Sequence, residues 1–198
     1  MRVIAMAMVL LGLSSVPVGA QSRVDVGLLL GTTTASDEGA ALQFDRATTY
    51  QATLAWRIWE NDAVRVAIEV PFIASPKFEV TTSGRSLPKE YASLYLTPGV
   101  RVVAFPDHVI SVFGAAGAGY ARYSESKLRA DGTANPGQRD TNTDAIQLGG
   151  GIDIGALRWL GFRFEVRDLY TGARIFSIAT AGARVHNIIG SGGLVLRF

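Results

Sequence analysis

"LGFRFEVRDLY", residues 160–170, changes character at every step: Leu160, Phe162, Phe164 and Val166 fall on one side, Arg163, Glu165 and Arg167 on the other. A repeat of two belongs to a β-strand, whose successive side chains leave opposite faces of the pleat. A helix would scatter those three ions around its axis. The stretch therefore reads as a strand with one apolar and one ionic face, and the fold turns on which face is inside.

Seven more segments repeat the pattern on either side. The apolar row takes every second residue from Val24 to Leu30, Tyr50 to Ile58, Val64 to Phe72, Ala92 to Ala104, Ile110 to Tyr120, Ile146 to Ala156 and Ile188 to Phe198. Charged residues make up 18% of the chain, yet none stands in these rows, and neither does any Ser, Thr, Asn, Gln or His. The opposite rows hold Arg23, Asp25, Arg57, Arg65, Glu69, Arg101, Asp153, Arg163, Glu165, Arg167 and Arg197. Such strands build either a soluble sandwich with its ions outside or a membrane barrel with its ions inside.

Three features favour the barrel. Aromatic residues sort by strand end: Trp56, Trp59, Phe105, Trp159, Phe162 and Phe198 lie beside short turns, and Tyr50, Phe72, Tyr91, Tyr120, Tyr123 and Tyr170 lie at the opposite ends, as in two interfacial girdles. Connections alternate between short (60–62, 105–108, 157–159) and long (33–46, 73–90, 124–143, 171–184). All three lysines, Lys77, Lys89 and Lys127, fall in the long connections, whereas the ionic rows use only arginine, whose planar fork suits carboxylates in a confined space.

Composition narrows the function. The 198 residues carry 19 Lys plus Arg and 17 Asp plus Glu, spread without a basic face for nucleic acid. With no cysteine, disulfides, thiolate catalysis, thiolate metal sites and a lipoprotein anchor are excluded. Arg2, the apolar run Val3 to Leu13 and the small residues Val18, Gly19 and Ala20 read as a signal peptide over residues 1–20, leaving one exported domain, 21–198. A membrane anchor needs about 20 apolar residues. Here Ser14, Ser15 and Pro17 break the run.

An eight-stranded barrel leaves an interior just wide enough to be filled by side chains, so ions inside it must pair. A turn centred on Arg158 sets Asp153 opposite Arg163. Glu165 and Glu69 are expected to bridge Arg167, Arg65 and Arg57, and ring closure to bring Asp25 towards Arg197; lumen water and backbone carbonyls are the alternative partners. Gly117, Gly119, Gly149, Gly151 and Gly155 would leave room for the arginines.

The last residues, "SGGLVLRF", carry a resemblance. Ser191, Gly193, Leu196 and Phe198 fit the C-terminal signature of Gram-negative outer-membrane barrels: a polar residue, a glycine two positions on, then two hydrophobic residues spaced by one. Together with the leader and the strand count, the chain resembles the small eight-stranded outer-membrane barrels typified by the transmembrane domain of outer membrane protein A and the related adhesion and serum-resistance barrels. The resemblance implies an all-β, closed, antiparallel transmembrane β-barrel, an up-and-down meander with both termini periplasmic, inserted by the export and barrel assembly machinery among outer-membrane lipid and lipopolysaccharide. No peptidoglycan-binding domain follows Phe198, so cell-wall tethering is not implied.

Catalytic and metal chemistry find little support. His108 is expected in a short turn and His186 at the start of the last strand, too far apart to share a site. "DTNTDA" (140–145) starts like a calcium loop but lacks its Gly and closing Glu, so a solvated turn is expected, with no metal or cofactor. "GAAGAG" (114–119) and "GGGIDIG" (149–155) are followed by no helix, unlike phosphate loops. Gly114, Ala116, Ala118 and Gly150 form a smooth outer patch that would admit another membrane element, close strand packing being the more ordinary reading. The expected function is a non-catalytic barrel with a structural, envelope or surface-binding role, its four long extracellular loops standing over a charge-filled lumen and binding a host surface, a phage, neighbouring envelope components or another extracellular ligand. A narrow small-solute channel is the alternative, and a lipid-modifying enzyme comes third. "FEVTT" (78–82) leaves the strand count at eight or ten.

Overall fold

The computed structural model describes residues 23–35, 42–44, 46–82, 90–129, 131–136, 140–172 and 184–198; the expected leader and Lys89 lie outside them. The strands are β1 (Val24–Ala35), β2 (Leu42–Phe44), β3 (Ala47–Glu60), β4 (Val64–Thr82), β5 (Glu90–Leu96), β6 (Gly99–Ala104), β7 (Ile110–Glu125), β8 (Asp140–Gly155), β9 (Leu160–Thr171) and β10 (Val185–Arg197). β1 pairs with β3 on one side and with β10 on the other, from Asp25 opposite Arg197 to Ala35 opposite Asn187, so the sheet closes on itself.

β5 and β6 are two halves of one stave between β4 and β7. The stave breaks at Thr97 and Pro98, where proline has no N–H to give. The ring holds because the Pro98 carbonyl accepts from the Ala118 N–H at 3.1 Å. β2 pairs with the far end of β4, Leu42 opposite Thr82. The ring is thus a closed, antiparallel, eight-stranded up-and-down barrel, and "FEVTT" is the long-loop end of β4 rather than an extra stave. Lys77 accordingly sits in a strand, not a loop.

The two faces fall as the alternation dictates. No residue of the apolar rows is buried, and Leu28, Leu54, Leu148 and Val166 are each more than half exposed. Continuous grease around a whole barrel far exceeds the few hundred Å² that water-soluble monomers expose. A bilayer suits it: a closed ring leaves no unpaired strand edge, and staves of 12 to 19 residues, with β5 and β6 taken as one, exceed the roughly 9–11 needed to cross.

Trp56, Trp59, Phe105, Trp159, Phe162 and Phe198 are exposed at the short-turn end; Tyr50, Phe72 and Tyr120 are exposed and Tyr170 half-exposed at the other. Tyr91 and Tyr123 do not join this outer girdle, because both are buried inside the barrel. Tyr91 shares its parity with Ser93 and Tyr95, one step off the lipid row of Ala92, Leu94 and Leu96, and position at a strand end does not override the pleat.

A bulge between Arg57 and Trp59 exposes Ile58 and Trp59 together. Beyond it the parity is reversed, and Glu60 turns inward opposite Arg65. A methyl group at Gly149 would come within 2.9 Å of Arg167 Cγ, so this glycine does make room for an arginine. Gly117, Gly119 and Gly151 instead admit the backbone of a neighbouring strand, with carbonyls at 2.6, 2.0 and 2.1 Å from where a Cβ would sit.

Candidate functional site

The lumen is layered. Its ionic layer is assembled from the inward rows of five staves: β1, β4, the β5–β6 stave, β8 and β9. Arg163 on β9 holds Asp153 on β8 through two bonds, Nε to Oδ1 at 2.7 Å and Nη2 to Oδ2 at 2.8 Å. Arg101 on β6 reaches across to Asp25 at 2.8 Å and stands 3.2 Å from Glu69. Arg167 binds Glu69 at 2.5 Å and also Glu165, which accepts in addition from Gln51 Nε2 at 2.5 Å. Glu69 on β4 is therefore the hub, with Arg163 a third cation at 3.9 Å. Phe113 lies against the guanidinium groups of Arg163 and Arg101, 4.6 and 5.8 Å from its ring centre.

Two expected pairings change partner. Arg57 and Arg65 do not reach Glu69 or Glu165; they share Glu60, at 2.7 and 2.5 Å. Asp25 and Arg197 face each other in the backbone ladder, but Asp25 goes to Arg101 and Arg197 stands 3.7 Å from Asp153. Of the terminal segment, Ser191 points inward to Gln51 at 3.4 Å, Gly193 lies against the Leu28 carbonyl, and Leu196 and Phe198 are in the outward row.

Above the ions the lumen is closed by Ile73, Tyr95, Ala121, Tyr123, Leu169 and Ile189, all buried. Tyr91 and Tyr95 meet Tyr123 edge to face, with ring centres 6.2 and 6.0 Å apart. Thr33, Thr49 and Ser75 satisfy one another through hydroxyl contacts of 2.5, 2.8 and 3.2 Å, and Asn187 donates to the Leu169 carbonyl at 3.1 Å.

At the long-loop end, "DTNTDA" is neither a turn nor a calcium loop. It opens β8, with Asp140 held by Arg122 at 3.0 Å and Ser124 at 2.6 Å, and Asp144 by Arg184 at 2.8 Å. Among the described residues no cluster of metal-ligating groups occurs. Between β7 and β8 the chain folds into a small hairpin, in which Asp131 accepts from the Thr133 N–H at 2.9 Å and Asn135 donates to Glu125 at 3.0 Å. Burial raises the Glu125 carboxyl above the ordinary glutamate range, partly offset by that Asn135 bond. His108 and His186 lie at opposite ends, as expected. His186 nevertheless continues the outward row of β10 beyond Ile188, and its Nδ1 lies 2.7 Å from Asp168 on the outward row of β9, beside the Tyr170 ring. The outward rows thus do carry a histidine above the span traced in the sequence.

No protein-family model matches the chain, and neither does any curated protein. Solved structures do. Neisserial surface protein A superposes with a TM-score of 0.56 at 16% identity, over 88% of this chain and 97% of that one. Ail, the attachment invasion locus protein of Yersinia pestis, gives 0.51 at 11% identity, over 90% and 100%. The N-terminal β-barrel domain of Pseudomonas aeruginosa OprF gives 0.50 at 10% identity, also over 90% and 100%. Such identities speak to architecture alone, and with the closed ring, the outward grease and the ionic lumen they lead to one conclusion: the chain has the fold of the small eight-stranded outer-membrane β-barrels.

Proposed function

We propose that the protein is an integral outer-membrane barrel, exported with cleavage of residues 1–20, inserted by the barrel assembly machinery, and oriented with its short turns and both termini in the periplasm. The barrel serves as a rigid, non-catalytic stand, and the long loops bind a component of the cell's surroundings or of the envelope. One observation carries the choice of a stand over a channel. Arg101, Arg163 and Arg167 in the ionic layer, and Ile73, Tyr95, Leu169 and Ile189 above it, are at most 1% exposed, which leaves the lumen core no aqueous path. Planar-bilayer recording tests this. Silence is expected, and a stable unit conductance that changes on altering Arg65 or Glu69 would overturn it.

A second reading, a lipid-modifying enzyme, is favoured by the outward His186 and Asp168. An imidazole held by a carboxylate is the orienting half of a nucleophile relay. Mass analysis of lipid A from cells with and without the protein separates the two. An unchanged profile supports the stand, and a modification abolished by His186→Ala supports the enzyme.

A further inference from the structure

The short-turn mouth holds a cavity of about 580 Å³ between the β6–β7 and β8–β9 turns, and its charge is unbalanced. Arg57, Arg65, Arg158 and Arg197 line it, with Asp107 and His108. Glu60 must serve both Arg57 and Arg65. Asp153 is already committed to Arg163 at 2.7 Å, which leaves Arg197 at 3.7 Å. Of the lining residues, four are therefore guanidinium groups and Asp107 the one carboxylate, with Glu60 already shared between Arg57 and Arg65. The Nε–H groups of Arg57 and Arg197 are buried and make no hydrogen bond within the protein, so it is the Nη ends of these forks that remain for the cavity. Glycine keeps the floor open beneath Arg197: a Cβ at Gly161 would come 3.4 Å from its Nη2 and one at Gly155 3.8 Å from its Nη1.

The geometry points to a binding site for a small, soluble, phosphate-bearing anion in this vestibule. Guanidinium forks arriving from β3, β4, β10 and the β8–β9 turn converge on one space, an arrangement suited to a multivalent tetrahedral oxyanion rather than to one planar carboxylate. The volume lies within the range of ordinary small-molecule pockets, and larger than inorganic phosphate needs. Arg57, Arg65 and Arg197 belong to the inward rows, so a phospholipid headgroup on the outer wall does not reach them. That the mouth opens to the periplasm rests on the orientation proposed above; binding itself does not.

Calorimetric titration of the refolded full chain in maltoside micelles with inorganic pyrophosphate tests the site. Saturable binding that weakens with added salt is expected. Arg57→Gln combined with Arg197→Gln should weaken it about tenfold or more, since charge-assisted hydrogen bonds are lost. Arg122→Gln, at the opposite end, should leave it unchanged. Heat-modifiable migration on gels reports whether each variant has folded. If the double variant has not, phenylglyoxal labelling of the unaltered protein replaces it: pyrophosphate should protect Arg57 and Arg197 but not Arg122. Absence of saturation at millimolar pyrophosphate, an equal loss in Arg122→Gln, or unprotected Arg57 and Arg197 would overturn the site.

Discussion

Arg163→Met removes one guanidinium from the lumen while keeping a long side chain in its place. Arg163 is fully buried and holds Asp153 through bonds of 2.7 and 2.8 Å. After the substitution Asp153 retains only Arg197 at 3.7 Å, while Glu69 keeps Arg101 and Arg167. Stranding one member of a buried pair costs about 3–5 kcal/mol, because the remaining ion stays desolvated. Glu69→Gln should be milder, about 1–3 kcal/mol. In its absence each cation still has a carboxylate of its own: Asp25 for Arg101, Asp153 for Arg163 and Glu165 for Arg167. Removing both members, Arg163→Met with Asp153→Leu, should restore most of the lost stability, since apolar replacement of a whole buried pair is often neutral or favourable. Urea unfolding in lipid vesicles, followed by the fluorescence of Trp56, Trp59 and Trp159, measures all three variants. If Arg163→Met lies within about 1 kcal/mol of the parent, the range of solvated surface pairs, or if the double variant is worse than the single one, then water rather than the opposite ion satisfies these charges.

Other perturbations probe other layers. Leu54→Arg, at an outward mid-strand position, should cost about 2–4 kcal/mol and lower the yield of heat-modifiable barrel, because a cation there faces hydrocarbon. Gly149→Val places methyl groups against Arg167 and the Val166 carbonyl, and should cost about 1–3 kcal/mol in the same unfolding assay; a neutral result would mean the Arg167 side chain swings aside freely. Glu125 has a raised pKa, so its folded form binds a proton more tightly than the unfolded form, and the β7–β8 hairpin should gain stability as pH falls through the raised pKa towards the ordinary glutamate value of about 4.3. Glu125→Gln should strengthen amide protection at the outer end of β7 at neutral pH and flatten its dependence on pH in that window.

Period-two alternation exposed the faces of every stave because it is local, needing only a residue and its neighbours. The Asp153–Arg163 contact was equally legible, since a turn symmetric about Arg158 puts the two in register. Contacts across the lumen, such as Arg101 to Asp25 and Arg167 to Glu69, depend on strand tilt and stagger, which one strand's pattern does not encode. Glu60 reads from the sequence as the first residue of a short turn, because the alternation stops at Ile58; the bulge at Arg57 carries β3 on to Glu60 and turns that side chain inward. For Tyr91 two signals in the sequence conflict: its place at a strand end points to the girdle, whereas its parity with Ser93 and Tyr95 assigns it to the interior, and parity prevails. The pairing of His186 with Asp168 lies where β9 and β10 continue past the apolar run, and apolar alternation carries no signal there.

The orientation of the two faces underlies everything else, and site-directed spin labelling in bilayer vesicles tests it most directly. The chain has no native cysteine, so single cysteines at Leu54, Leu148 and Val166 can be labelled without background. Labels at all three should be accessible to dissolved oxygen and shielded from a water-soluble nickel chelate. Labels reached by the chelate, on a chain that stays monomeric in buffer without detergent, would contradict the account.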